Sequence, residues 1–424
     1  MSKVATNSHP QEVTELLLDS MFRARHPDRL PHQFMFNRPG EALFAGRMGT
    51  EVNYDHRLLL RTALYLRKHG DPHLRSLSID KLASELTDIL AAHYYLLASE
   101  TFLASFDDSY AAHVSPATKV SIAAAVAKSS LFVEPRETTL FPLVPIRIEQ
   151  PFATDKFFLV APGELPGQLN EALPPRDLAP DSFPPLTTWD GRRETPAAWL
   201  GVRAPNFDAA RQIRAAVLGA VALLPHHLER YSFSCRAMFG GYATLSDRCS
   251  LAFGDPHTPA LMSDLVIGAA DHPWLSVLGH KLTSQARVDK RQLRALEYFY
   301  RAWAPDPVRR FPTLFAAIDA IFGDAGAATQ SVVDAVGPVM GTDYTHDRIR
   351  LMLSLRAIVI HGGAPNVYES SKYEKYYERY GTDATEDLEL IVARCLQVVI
   401  FPGVLTERPH TYRDLILRET RRAV

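Results

Sequence analysis

Apolar residues recur at spacings of three and four over much of the first 130 residues, which is the period of an amphipathic helix. In segment 55–68, the residues on one side of such a helix are Leu58, Leu59, Thr62 and Leu66. The same spacing continues through residues 78–106, where Ser78 or Asp80 is suited to cap the helix. We therefore expect residues 1–130 to form a mostly helical region.

After residue 130 a period of two replaces the helical period in several short segments. Residues 143–149 alternate between apolar and other side chains, and residues 156–160 form a second apolar run, so the two are predicted to be adjacent strands. Segments 231–239 and 242–253 also alternate, and Gly240-Gly241 between them predicts the turn of a hairpin.

The same part of the chain contains one predicted helix and one irregular stretch. Asn206 is a preferred N-cap residue, and it precedes an amphipathic pattern over residues 207–224. Nine prolines fall between residues 162 and 205 without any sustained periodicity, which predicts a long irregular excursion. We expect residues 131–280 to form a mixed α/β domain.

From residue 285 onward the helical period returns. Asp306 followed by Pro307 predicts a helix start, as do Thr345 or Asp347 and Thr385. Six or seven helices are predicted, over residues 289–304, 307–322, 327–340, 348–361, 370–380, 386–401 and 410–422. The expected fold class is α+β, in which an N-terminal helical region and a mixed α/β region precede an all-α bundle at residues 285–424.

Composition and charge narrow the class of protein. Hydrophobic residues make up 46% of the 424 positions and charged residues 22%, as in globular proteins. The net charge of -2 gives no general attraction to nucleic acid, so contact with RNA needs a local patch. Three widely spaced cysteines, no secretory signal and no apolar run of about 20 residues predict a cytoplasmic protein that does not enter a membrane.

The predicted helix 348–361 carries the candidate chemistry in the run Leu355-Arg356-Ala357-Ile358-Val359-Ile360-His361. About one Arg-x4-His match is expected by chance in a chain of this composition, so the spacing alone carries little information. The position of the match carries more information, because Gly362-Gly363 ends the helix and puts His361 in its last turn. The side expected to be buried holds Leu351, Leu355, Ile358 and Val359.

An imidazole beside a guanidinium is suited to cleaving a phosphodiester without a metal ion. The imidazole moves a proton, and the guanidinium neutralises the charge that develops on the phosphorane. Cleavage of RNA by its own 2′-hydroxyl needs two proton transfers, whereas one chain offers one such histidine. A two-fold dimer that places both copies in one cleft would offer two histidines and two arginines.

The last 135 or so residues resemble the HEPN superfamily, in particular its Apea-like branch. The resemblance rests on LEYFYRAW at 296–303, RFPTLFAAIDAIF at 310–322 and LRAIVIHG at 355–362. HEPN domains are helical bundles with an Arg-x4-His signature near the end of a late helix. By position, Arg356 and His361 would be the catalytic pair. Asp319 would match an acidic residue of the second helix and orient Arg356.

This resemblance implies a metal-independent RNA endonuclease without a cofactor, active as a homodimer through the C-terminal bundle, in antiviral defence or in a stress or toxin system. The first 280 or so residues would then sense a phage-derived or small-molecule trigger or hold the nuclease in check. Two positions depart from the family pattern. Ala357 stands where active members often carry a polar residue, and Gly363 stands where the nucleotidylated branch has tyrosine.

Two other functions stay open. Ala357 is compatible with a catalytically inactive HEPN module that binds RNA or a partner protein. The N-terminal region could instead be a small-molecule or nucleotide enzyme with the bundle as its dimerisation platform, but no catalytic motif precedes residue 280.

A tyrosine-rich segment, residues 368–380, is a further candidate for RNA contact. Its aromatic rings could stack on bases while its cations meet phosphates, the residues concerned being Lys372, Tyr373, Lys375, Tyr376 and Arg379. We favour the other interpretation, a helix whose tyrosines pack on the bundle. His226-His227 beside Glu229 is interpreted as structural, because adjacent residues do not share a helix face, and no metal site is predicted.

Overall fold

The computed structural model divides the chain into two compact units, Met1–Arg136 and Glu137–Val424. The residues that it describes are 9–36, 48–169, 196–246, 249–303, 307–323, 328–341 and 344–410. All of the predicted last helix, 410–422, except its first residue, and residues 170–195 of the proline-rich stretch lie outside these residues. No helix among the described residues is both long and apolar enough to cross a membrane.

The first unit is mostly helical, as the apolar periodicity indicates. Its helices are α1 (His9–Asp19), α2 (His56–His69), α3 (Ile79–His93), α4 (Tyr95–Thr101), α5 (Tyr110–His113) and α6 (Pro116–Lys128). Asp55 caps α2 by accepting from the Leu58 N–H, and Ser78 caps α3 by accepting from the Lys81 N–H. The buried sides of the helices share one apolar core.

A small antiparallel sheet in the first unit was not predicted. Its strands are β1 (Met21–Phe22), β2 (Arg29–Phe36) and β3 (Met48–Asp55), in the order β1-β3-β2. The sequences of the two longer strands, RLPHQFMF and MGTEVNYD, do not alternate cleanly between apolar and polar residues. The period of two was therefore absent from the sequence pattern.

The second unit begins with strands. They are β4 (Glu137–Leu143), β5 (Ile146–Ile148), β6 (Phe152–Ala153), β7 (Phe157–Val160), β8 (Ala198–Ala204), β9 (Tyr242–Leu245), β10 (Cys249–Ala252) and β11 (Leu265–Ile267). Six of them form a sheet in the order β10-β9-β4-β8-β7-β6, and β5 pairs in parallel with β11. Neighbouring residues of β4 alternate between two cores, because Phe141 faces the large one and Leu140 a small one beneath the sheet.

Two predicted strand pairings are wrong. Segments 143–149 and 156–160 both contain strands, but β5 and β7 belong to different sheets. The hairpin forms between β9 and β10 instead of around Gly240-Gly241. Gly240 is packed so closely that a Cβ there would lie 1.9 Å from the Asp255 carbonyl oxygen. The paired glycines therefore permit a close backbone approach rather than the hairpin turn.

Helices make up the rest of the second unit. They are α7 (Phe207–Val221), α8 (His272–Thr283), α9 (Arg287–Ala302), α10 (Pro307–Phe322), α11 (Ala328–Met340), α12 (His346–Ile360), α13 (Ser371–Tyr380) and α14 (Ala384–Ile400). The predicted caps Asn206 and Thr345 are confirmed, since they accept from the Ala209 and Arg348 N–H groups. Asp383 caps α14 in place of the predicted Thr385.

The α/β part and the C-terminal helices pack as one unit. One apolar core runs from Phe141 in β4 to Leu405 after α14. At its centre α7 meets α9 so closely that a Cβ on Gly219 would lie 2.1 Å from the Leu296 carbonyl oxygen. The predicted segments 131–280 and 285–424 therefore share a core within the second unit.

Candidate functional site

Arg356 of α12 and Asp319 of α10 form an ion pair. Arg356 Nη2 lies 2.5 Å from Asp319 Oδ2, and Nη1 donates to Oδ1 at 3.5 Å, so that the guanidinium meets both carboxylate oxygens. Phe315, one turn before Asp319, lies under the same guanidinium, with 5.6 Å between Cζ and the ring centroid. Two contacts therefore fix the orientation of the Arg356 side chain.

The ion pair between Arg356 and Asp319 is half-buried, and this burial affects the pKa of Asp319. The Arg356 side chain is 28% exposed and that of Asp319 is 23% exposed. Burial raises the pKa of the Asp319 carboxyl, and the nearby Arg356 acts in the opposite direction. Each of these two side chains is consequently the main partner of opposite charge for the other. A substrate phosphate would therefore have to bind a guanidinium that already contacts Asp319.

A second arginine holds the end of the helix that carries Asp319. Arg291 of α9 donates from Nε to the Ala320 carbonyl at 2.9 Å and from Nη2 to the Gly323 carbonyl at 2.6 Å. A cation at this place also suits the negative end of the α10 dipole. Arg291 thus fixes the last turn of α10, a contact between distant segments that sequence periodicity does not reveal.

His361 follows the last turn of α12 and is held by a well-formed helix end. The Gly363 N–H donates to the Ile358 carbonyl at 2.8 Å, and the Gly362 N–H donates to the Val359 carbonyl at 3.4 Å. Gly362 has a φ of +74°, which favours glycine. This is the Schellman arrangement that the paired glycines predict. Within the described residues, the exposed His361 imidazole makes no hydrogen bond or ion pair.

The burial of α12 differs from the prediction near its C-terminal end. The fully buried residues are Ile349, Met352, Leu353 and Leu355. Of the predicted buried residues only Leu355 is among them, while Leu351, Ile358 and Val359 are half-buried. The last turn of α12 therefore stands out from the core, and Ile360 is 52% exposed.

The residues on the solvent-facing side of α12 recur at helical spacing. Arg350, Ser354, Ala357 and His361 follow one another at spacings of four, three and four on this side, where Ser354 is half-buried and the other three are exposed. Arg356 is about 140° away from His361 around the helix axis and about 7.5 Å back along it. One chain therefore presents the two predicted catalytic groups on different sides of the same helix.

The tyrosine-rich segment forms α13, and its aromatic rings serve the bundle. Tyr376 is fully buried and donates from its hydroxyl to Asp387 Oδ2 at 2.5 Å. Tyr373 is half-buried and donates to Asp383 Oδ2 at 2.5 Å. Burial and these carboxylates raise the pKa of both phenols. The buried Tyr376 ring is therefore not accessible for stacking on a base, whereas Tyr373 stays half-buried and its contact with RNA remains a prediction.

The basic residues of the same segment lie closer to solvent. Lys375 and Arg379 are exposed and Lys372 is half-buried. Arg379 lies 3.4 Å from Asp347, an exposed contact that contributes little to stability. The structure thus places these three cations at the surface of α13, and their contact with RNA remains a prediction.

Comparisons of the chain with protein-family models, with curated proteins and with solved structures give no match. Among the described residues, one group has the composition and spacing to hold a metal ion, namely His226, His227 and Glu407. It contains none of the residues of the Arg356–Asp319 pair or of α13.

Proposed function

We propose that this protein is a metal-independent RNA endonuclease of the HEPN type, whose active site is completed by two copies of the chain. The observation that carries the proposal is the end of α12. There, Arg356 is oriented by Asp319, and an exposed His361 follows the last turn of the same capped helix.

The surface around His361 supports a contact between two copies of α12. Ile360 is a large apolar side chain exposed beside the imidazole, and burying it against its counterpart would be favourable. Ala357 and Ser354 are small, so a second helix can approach closely along this side. In a two-fold arrangement the same residues meet each other, which brings the two His361 side chains into one cleft.

Such a cleft has the groups for strand cleavage by the substrate's own 2′-hydroxyl. One imidazole accepts the 2′-hydroxyl proton as the oxygen attacks phosphorus, and the other, as imidazolium, donates a proton to the departing 5′-oxygen. Arg356 starts on a different side of α12, so its long side chain would have to extend to the edge of this cleft to neutralise charge on the phosphorane, with Asp319 as its positioning partner. The products are a 2′,3′-cyclic phosphate and a 5′-hydroxyl.

The experiment is cleavage of labelled single-stranded RNA in EDTA, with analysis of the new ends. His361→Ala should lower the rate by about 10²–10⁴-fold, and Arg356→Ala by about 10²–10³-fold. His280→Ala is the matched control, because His280 is also exposed in the last turn of a helix. Cleavage that both variants retain, or that EDTA abolishes, would show the assignment of this pair to be wrong.

The alternative is a HEPN module that binds RNA or a partner protein without cleaving RNA. The ion pair between Arg356 and Asp319 favours it, because the guanidinium already has a carboxylate partner. In the same experiment this function predicts retention of the labelled RNA by the wild-type protein with no new ends.

A further inference from the structure

We propose that His226, His227 and Glu407 form a binding site for a divalent transition-metal ion of the Zn²⁺ class. One nitrogen of each histidine and one carboxylate oxygen lie within 4.8 Å of one another. Neutral imidazole and carboxylate are the ligands that Zn²⁺ takes together in proteins. This site goes beyond the proposed RNA cleavage and uses none of its residues.

Two of the three distances between the ligand atoms lie near the value for a tetrahedral ion, and the two nitrogens lie within 4.8 Å of each other. Four bonds of about 2.0–2.1 Å at tetrahedral angles put ligand atoms about 3.3–3.4 Å apart. Glu407 Oε1 lies 2.9 Å from His227 Nδ1 and 3.7 Å from His226 Nε2. Shifts of about half an ångström therefore bring both pairs of atoms to the ideal value, and three protein ligands leave the fourth position for water.

The local backbone explains how two adjacent histidines can bind one ion. On a helix adjacent side chains point apart, which was the reason for interpreting this pair as structural. Residues 225–231 instead form a turn after α7, in which the Glu229 and Arg230 N–H groups both donate to the His226 carbonyl. The two imidazole centroids are consequently only 4.2 Å apart.

Glu407 lies in the segment that follows α14, and two contacts hold its side chain in place. Its Oε1 accepts from the His227 backbone N–H at 2.6 Å, and its Oε2 lies 3.6 Å from Arg230 Nη2. Arg230 is itself fixed, because it is fully buried and donates to the Ala222 and Pro225 carbonyls and to Glu389. The carboxylate is thus oriented by an outer layer of contacts, as ligands of protein metal sites usually are.

The surroundings favour a cation in spite of Arg230. Glu389 pairs with Arg230 and offsets its charge, and Glu229 adds a carboxylate to that of Glu407 near the turn, 3.4 Å from His410 Nδ1. The His410 ring packs edge-on against His226, with 5.1 Å between the centroids. In the structure described here His227 Nδ1 donates to Glu407 Oε1, and a metal ion between these atoms replaces that hydrogen.

Binding through His226 Nε2 has a small cost. His226 Nδ1 accepts a hydrogen bond from the Leu228 N–H at 3.3 Å, which is long for such a bond. Coordination through Nε2 puts the ring proton on Nδ1, so this weak bond is lost. The ion would join the turn at residues 225–231 to the segment that leads to residue 410, and so fasten the two segments together.

The test is a Zn²⁺ titration of the full chain after chelator treatment, in competition with a chromogenic chelator. We expect one tightly bound equivalent, and loss of a direct ligand should cost more than the about 10–100-fold that loss of an outer-layer partner costs. His226→Ala is the decisive variant, because this side chain makes few other bonds, and Glu407→Gln is the second. His280→Ala should bind as the wild type does, and far-ultraviolet circular dichroism checks that each variant is folded.

Substituting Co²⁺ for Zn²⁺ gives a readout that reports geometry. A tetrahedral site with nitrogen and oxygen ligands should give intense visible absorption in the wild type that disappears in His226→Ala. The proposal is overturned if the wild-type chain binds less than one equivalent of Zn²⁺, or if His226→Ala and Glu407→Gln both bind it as tightly as the wild type. RNA cleavage in EDTA is measured separately, so the failure of one proposal does not affect the other.

Discussion

His257 should make the second unit sensitive to mild acid. Its side chain is buried, and both ring nitrogens have partners: Nε2 lies 2.6 Å from the Gly241 carbonyl oxygen, and Nδ1 lies 2.9 Å from Arg214 Nη1. A carbonyl only accepts and a guanidinium only donates, so the ring is neutral with its hydrogen on Nε2. A second proton would have to enter on Nδ1, facing the Arg214 cation.

The size and the sign of the effect of pH on stability follow from the pKa of His257. Burial, and next the Arg214 charge, lower the pKa of His257 from 6.5 to about 4, although the Gly241 carbonyl acts in the opposite direction. Between these two values the unfolded chain binds more protons than the folded one, so stability rises with pH. The contribution is complete above about pH 6.5 and is lost as the pH falls towards 4, and it amounts to about 3 kcal/mol.

The assay is urea unfolding at about pH 7.5 and about pH 4.5, since these values bracket most of the transition. All four tryptophans, at positions 189, 199, 274 and 303, lie in the second unit, so their fluorescence reports its unfolding alone. His257→Gln keeps a donor and an acceptor but cannot titrate. We expect the wild type to lose about 2–3 kcal/mol more than this variant between the two pH values.

Equal losses in the wild type and in His257→Gln would refute this reasoning. A direct check is the imidazole titration followed by NMR, in which the His257 signal is identified by its absence from the variant. A pKa at or above 6.5 for that signal would also show that the ring is not held neutral.

Two further predictions concern buried and half-buried charges. Glu389→Ala leaves the fully buried Arg230 without its closest carboxylate, so the free energy of unfolding of the second unit should fall by about 3–5 kcal/mol. Urea unfolding followed by fluorescence measures this, and a loss below 1 kcal/mol would contradict it. Asp319→Asn should leave Arg356 in place but less well oriented. We expect kcat for RNA cleavage to fall by about 10²-fold with little change in KM, and full activity would contradict the positioning role.

Helices with strong periodicity and a clear start could be predicted closely from the sequence. Asn206 and Thr345 mark the first residues of α7 and α12, and Gly362 marks the end of α12, because each satisfies backbone groups by a local contact. Strand pairing could not be predicted in the same way. The partners of β5 and β7 are set by contacts with distant strands, on which local alternation carries no information.

The candidate sites likewise depend on contacts between residues that are distant in the sequence. The ion pair between Asp319 and Arg356 joins two helices, and it was expected only because of the resemblance to a family, not from any local pattern. The approach of Glu407 to His226 joins residues 181 positions apart, through a turn and a segment that have no regular period. The interpretation of His226-His227 as structural depends on helix geometry, whereas the chain forms a turn at these residues.

A heterodimer with a single substituted histidine tests the central claim most directly. Wild-type and His361→Ala chains carrying different affinity tags would be coexpressed, and the mixed dimer isolated through both tags and assayed on RNA in EDTA. A composite site predicts that the mixed dimer loses about 10²–10⁴-fold in rate, because one of its two proton transfers has no imidazole. A mixed dimer that keeps about half of the wild-type activity would contradict it, since each chain would then act alone.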